Sequence, residues 1–133
     1  MSCLFDSLTK LLDREFQDFY KDTKLRDIVC DFIRERPNDI LNGCKVSEWI
    51  DIVTMDEFDS KISISQYIDK MRKDSTWGGA PEMSIISKLF NVEIHVVQDS
   101  KVISKFACGD KVNSILTLEW TGSHYEPVDR INV

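Results

Sequence analysis

The sequence lacks the spacing of a metal finger. Its four cysteines, Cys3, Cys30, Cys44 and Cys108, form no C-x-x-C pair, and neither of the two histidines stands at zinc-finger distance from them. No metal site is therefore expected. Phosphate-cradling glycine patterns are missing too, both Gly-x-x-x-x-Gly-Lys and Gly-x-Gly-x-x-Gly, and no cofactor is expected. No apolar run approaches the roughly 20 residues of a membrane-spanning helix, which argues against a membrane partner. Basic residues are outnumbered, 17 against 23 acidic, for a formal net charge of -6. A nucleic-acid binder needs a basic stripe to displace counterions from phosphates, so no nucleic-acid partner is expected. A partner with a basic face suits this charge better. With no leader segment ahead of the first apolar stretch, the expected location is the reducing cytoplasm, with the cysteines as thiols. Repeats and low-complexity stretches are also missing.

What is present fits one domain over residues 1–133, with 42% hydrophobic residues to fill a core. Glycine and proline are few, 5 and 3, so each marks a break. Leu4, Phe5, Leu8, Leu11, Leu12, Phe16 and Phe19 recur at helical spacing and predict a helix from about residue 4 to 20. Leu25, Ile28, Val29, Phe32 and Ile33 predict another over Lys24–Arg36, ended by Pro37. Asn42-Gly43 marks a turn. Val46–Met55 is a short helix with Trp49, Ile50 and Val53 inward, and Ser63–Lys73 a further one carrying Ile64, Tyr67, Ile68 and Met71. Trp77-Gly78-Gly79-Ala80-Pro81 reads as a loop whose proline opens a helix. Met83, Ile85, Ile86, Leu89 and Phe90 continue that helix to Asn91.

Strand character follows. Val92–Gln98, Val102–Cys108, Ile115–Thr121 and His124–Val128 are β-branched or alternating, with Lys111–Asn113 as loop and Gly122-Ser123 joining the last two as a hairpin. Helices first and strands last predict an α+β domain, with helices packed on a small sheet.

Chemistry concentrates at the two ends. Cys3 stands where the first helix begins, and helix N-terminal N–H groups lower a thiol pKa. His124 and Glu126 alternate along the last strand and so share a face. A thiol, an imidazole and a carboxylate that orients the imidazole make a nucleophilic triad. Taken singly, each has an ordinary alternative: an inert terminal cysteine, a hairpin histidine and a solvated carboxylate. His95 alternates with the apolar residues of its strand and reads as a surface residue or a satisfied sheet residue. Cys30 and Cys108 read as small hydrophobes, and Cys44 is the weaker candidate nucleophile. Gly78 and Gly79 allow close backbone approach; the plain alternative is a loop with Trp77 plugging the core.

Cys-Leu-Phe-x-Ser-Leu at 3–8, Trp-Gly-Gly-x-x-Glu-Met at 77–83, Ile-x-Val-Val at 94–97 and His-Tyr-Glu at 124–126 stand in an order and spacing that resembles the ovarian-tumour (OTU) family of cysteine deubiquitinases. The resemblance implies a papain-like OTU fold, with a small central sheet formed mainly by the C-terminal half. It implies hydrolysis of the isopeptide bond after the C-terminal glycine of ubiquitin or a ubiquitin-like modifier; a monomer is expected. Cys3 would be the nucleophile and His124 the base and then the acid. Glu126 falls where the family usually carries Asp or Asn. Trp77, Gly78 and Gly79 would flank the channel for the substrate's Gly-Gly tail.

One departure concerns the family's Asp-Gly-x ahead of the cysteine. The Asp would fall before Met1, while Met1 and Ser2 fill the next two places. That loop contributes N–H donors to the oxyanion hole, and losing one donor costs about a hundred- to thousandfold in rate. The chain would then be a fragment, an unusually short member, or a catalytically impaired OTU-like module that binds ubiquitin without cutting it. An acidic interaction domain unrelated to ubiquitin is the third reading.

Overall fold

The computed structural model describes residues 3–16, 24–58, 62–73, 76, 78–107 and 114–128. The helix α1, Cys3–Phe16, presents one apolar stripe: Leu4, Phe5, Leu8, Leu11 and Leu12 are all buried. Each such side chain removed from water contributes about 1.5–3 kcal/mol. α2, Leu25–Glu35, buries Leu25, Val29, Cys30, Phe32 and Ile33 in the same way. The expected extension of the first helix to residue 20 lies outside the described residues.

Asn42 and Gly43, at φ 51° and 85°, form a tight turn between β1, Ile40–Leu41, and β2, Cys44–Lys45. The turn is legible in sequence; the strands, two residues each, are too short to alternate. α3, Val46–Phe58, follows directly and runs three residues past its expected end. Trp49, half-buried rather than fully inward, donates its indole N–H to Leu41 O at 2.8 Å and ties α3 to the hairpin. α4, Ile64–Met71, opens on a reciprocal cap: Ser63 Oγ accepts the Gln66 N–H, and the Gln66 side chain accepts the Ser63 N–H.

α5, Ala80–Phe90, has Pro81 in its first turn and ends on Asn91 in the left-handed conformation, φ 52°. Every residue from Pro81 to Ser87 is buried. This helix is enclosed on all sides rather than by one stripe, so helical spacing says little about its outward positions. Leu89, near its end, is 40% exposed.

The sheet is formed by β3, Val92–Gln98, β4, Lys101–Phe106, β5, Ser114–Trp120, and β6, Tyr125–Pro127, in the order β4-β3-β5-β6. β3 and β5 are parallel; the other two pairs are antiparallel. Val92, Ile94, Val96, Phe106, Leu116 and Leu118 are buried, and α1 and α5 pack against the sheet. Helices on a small, C-terminal sheet are the α+β arrangement read from the sequence. β4 ends at Phe106, short of the expected boundary, and Cys108 and Lys111–Asn113 lie outside the described residues. β6 begins at Tyr125, so His124 occupies the end of the turn rather than the strand.

Two buried or bridging arginines lock the helices. Arg26 donates to Met71 O at 2.7 Å while its guanidinium sits 4.4 Å from the centre of the Phe5 ring, joining α2, α4 and α1. Arg72, closing α4, reaches Asp31 at 2.8 Å and Asp27 at 3.2 Å on α2.

Candidate active site

Three segments converge around the first turn of α1. Its opening residue is Cys3. The first N–H groups of a helix have no intrahelical acceptor and present the positive end of its dipole. One turn along, Ser7 is buried and donates from Oγ to the backbone oxygen of Tyr125 at 3.1 Å. Positions 3 and 7 are one turn apart and share a helix face. That face is therefore the one joined to the start of β6.

The second segment is the β5–β6 hairpin that carries His124. Its stem is an aromatic pair, Trp120 opposite Tyr125, with ring centroids 4.7 Å apart. Gly122 takes a positive φ of 99° at the tip. Thr121 then holds His124 by its backbone: its N–H donates to His124 O at 2.9 Å, and its Oγ1 accepts the His124 N–H at 3.0 Å. His124 is half-buried. Glu126 lies two residues on, exposed, and directly opposite the exposed Glu119 of β5. Among the described residues neither the His124 ring nor the Glu126 carboxylate makes a hydrogen bond or ion pair.

The Gly78–Gly79 loop is the third segment. A Cβ on Gly78 would stand 2.8 Å from Leu4 Cδ2 and 3.0 Å from Phe5 Cε2. The loop backbone thus lies directly on the residues that follow Cys3. Gly79 differs: a Cβ there meets nothing within 4 Å. Trp77 lies outside the described residues. Gly78→Ala should therefore destabilise the fold by about 1–3 kcal/mol through overpacking against Leu4 and Phe5. Gly79→Ala should cost under about 1 kcal/mol. Chemical denaturation of the two variants checks the contrast.

One site residue was present in the sequence motif without an assigned part. Glu82, in the first turn of α5, is 1% exposed. Its Oε1 accepts the Gly79 N–H at 2.7 Å and its Oε2 accepts the Tyr67 hydroxyl at 2.5 Å. Burial pushes its carboxyl up to about 7, against the pull of its hydrogen bonds, to Tyr67, to the Gly79 N–H and to its own backbone N–H, and of the Arg26 charge. The spacing from Gly79 to Glu82 is that of a helix cap; its burial depends on α4 and could not be read locally.

The other titratable candidates have ordinary structural surroundings. Burial pushes the Cys30 thiol up to about 11, which leaves it unreactive near neutral pH. Cys44 is half-buried on β2. On β3, the His95 ring is held by the Glu93 carboxylate, a satisfied sheet histidine.

A cysteine opening a helix, a histidine on an adjoining hairpin and a glycine loop packed on the helix start are consistent with a thiol hydrolase. Comparison with known proteins agrees. The chain belongs to the OTU-like cysteine protease family, whose model matches residues 2–123. It is 41% identical over 66 residues to ubiquitin thioesterase OTU1 of Rattus norvegicus, a stretch that is 49% of this chain and 19% of that protein. Against the same enzyme of Danio rerio it is 28% identical over 131 residues, 98% of this chain and 38% of the relative. The chain thus spans well under half the length of these curated relatives. Among solved structures it resembles an ovarian-tumour domain in complex with ubiquitin, with a TM-score of 0.59 and 26% identity over 95% of this chain and 62% of that one.

Proposed function

We propose that this protein is a cysteine isopeptidase that removes ubiquitin or a ubiquitin-like modifier from conjugates. It acts as one monomeric domain over residues 1–133 in a reducing, cytoplasmic setting. The observation that carries this reading is the junction of α1 with β6 through Ser7 and Tyr125, 3.1 Å apart. Cys3 lies one turn from one partner and His124 one residue from the other. Membership of the OTU-like family and the named thioesterase activity of its relatives support the same reading.

In this mechanism the Cys3 sulfur attacks the carbonyl carbon of the modifier's terminal glycine, and His124 takes the thiol proton. The resulting oxyanion faces N–H donors at the start of α1. Collapse breaks the C–N bond, and His124 returns the proton to the departing lysine amine. Water, deprotonated by His124, then hydrolyses the thioester and frees the modifier's carboxylate and the Cys3 thiol. Glu126 orients the imidazole, and Trp77, Gly78 and Gly79 border the tail of the substrate.

A second reading is a ubiquitin-binding module with impaired catalysis. It is favoured by Glu126, which is exposed and opposite Glu119, a like-charge pair that does not hold a carboxylate on the imidazole. Incubation with ubiquitin bearing a C-terminal electrophile separates the two. The proposal expects one adduct, mapped to Cys3 and lost in His124→Ala. Binding of ubiquitin with no adduct supports the module, and neither binding nor adduct defeats both.

A further inference from the structure

Glu82 is the only buried carboxylate among the described residues, and each of its oxygens serves a different element. Oε2 receives Tyr67 of α4 and Oε1 receives the backbone of Gly79. Glu82 lies among the residues lining a cleft of about 200 Å³, with Val53, Met71, Gly78, Gly79 and Pro81. Capping alone does not require this burial. α4 is capped by Ser63 and Gln66, neutral and solvent-exposed, with the same pair of bonds. What burial adds is a connection. Tyr67 ties the carboxylate to α4, the end of α4 is held by Arg26, and Arg26 lies on the Phe5 ring that Gly78 touches. The loop is thus gripped on one side by Glu82 and on the other by the first turn of α1.

We infer that Glu82 is a positioning residue for the proposed hydrolysis. It fixes the Gly78–Gly79 backbone against the start of α1 and thereby sets where a substrate tail lies relative to Cys3. It does not touch the reacting atoms. The inference rests on the proposed isopeptidase activity, and a misplacement of about 1 Å in such a site costs about a hundredfold.

Two electrophiles test it. Iodoacetamide needs only the Cys3 thiolate, whereas electrophilic ubiquitin must also thread its tail past the loop. In Glu82→Ala, labelling of Cys3 by electrophilic ubiquitin should slow about a hundredfold, with the iodoacetamide rate within about twofold of wild type. Glu82→Gln should restore ubiquitin labelling to within about fivefold. Its amide oxygen accepts the Gly79 N–H and its NH₂ donates to the Tyr67 oxygen. Should the alanine variant not fold, Glu82→Asp, too short to reach both donors, should slow ubiquitin labelling about tenfold with the iodoacetamide rate unchanged. The inference is overturned if the folded variant keeps the wild-type ubiquitin rate, if both electrophiles slow in proportion, or if glutamine fails to rescue. Wild-type protein that reacts with iodoacetamide but never with electrophilic ubiquitin overturns the isopeptidase reading itself, and this inference with it.

Discussion

Cys3→Ala should lower the cleavage of ubiquitin conjugates by about ten-thousandfold or more, and His124→Ala by a comparable factor, since members of a nucleophile–base pair act as a unit. Neither loss should come from unfolding. Alanine is the best helix former, so α1 keeps its first residue in helix. At His124 the hairpin is held by backbone bonds to Thr121 and by the Trp120–Tyr125 pair, which a side-chain truncation leaves in place. Turnover of a fluorogenic ubiquitin substrate, read beside a thermal melt, separates chemistry from stability. The pH profile adds a second signature. Without the imidazole no side chain takes the thiol proton, so residual activity in His124→Ala should climb toward alkaline pH, where solvent base does so. Near-wild-type turnover in Cys3→Ala would move the nucleophile elsewhere. Cys30 is a poor substitute, because its thiol is buried and held near 11.

The fold was legible where periodicity was clean. α2 and α4 carry single apolar stripes, and their buried residues match the spacing closely. β3 alternates buried and half-buried positions over its first six residues, as an interior strand with one helix-covered face requires. Strand order was not legible. The parallel pairing of β3 with β5 is a long-range choice, and alternation alone does not encode which strands become neighbours. The Ile40–Lys45 hairpin escaped for the opposite reason, since two residues per strand leave no period to read.

At the site, the sequence order of Cys3, Gly78 and His124 was visible, but the contacts that join their segments were not. Gly78 reads as a flexible loop residue. Its reason for being glycine is the approach of Leu4 and Phe5, more than seventy positions earlier. Glu82 sits within the Trp-Gly-Gly motif but looks like an ordinary surface acid of a helix first turn. Only the packing of α4 over it, with Tyr67 on its oxygen, makes it a buried junction.

That burial predicts the second large effect. Glu82 alone should remove about 3 kcal/mol of stability as pH rises from about 4 to about 8, and Glu82→Gln should abolish that slope. The sign follows from the direction of the shift. The folded protein holds the Glu82 proton up to about 7, whereas the unfolded chain releases it near the ordinary value of 4.5. Its contribution is fully present below the unfolded value and is lost as pH rises through the folded one. Glutamine imitates the protonated state. In both, an oxygen still accepts the Gly79 N–H, and the other terminal atom donates a hydrogen to the Tyr67 oxygen. Urea unfolding of wild type and Glu82→Gln should therefore coincide near pH 4 and separate by about 3 kcal/mol near pH 8, with glutamine the more stable. Taking the difference between the two proteins cancels the titration of every other group, so parallel curves would mean that Glu82 ionises as an ordinary carboxylate. Glutamine holds the same two partners, so its stability gain at alkaline pH and its retained ubiquitin labelling should appear together: what Glu82 supplies to the loop is the pair of bonds, to the Gly79 N–H and to Tyr67, and not the charge.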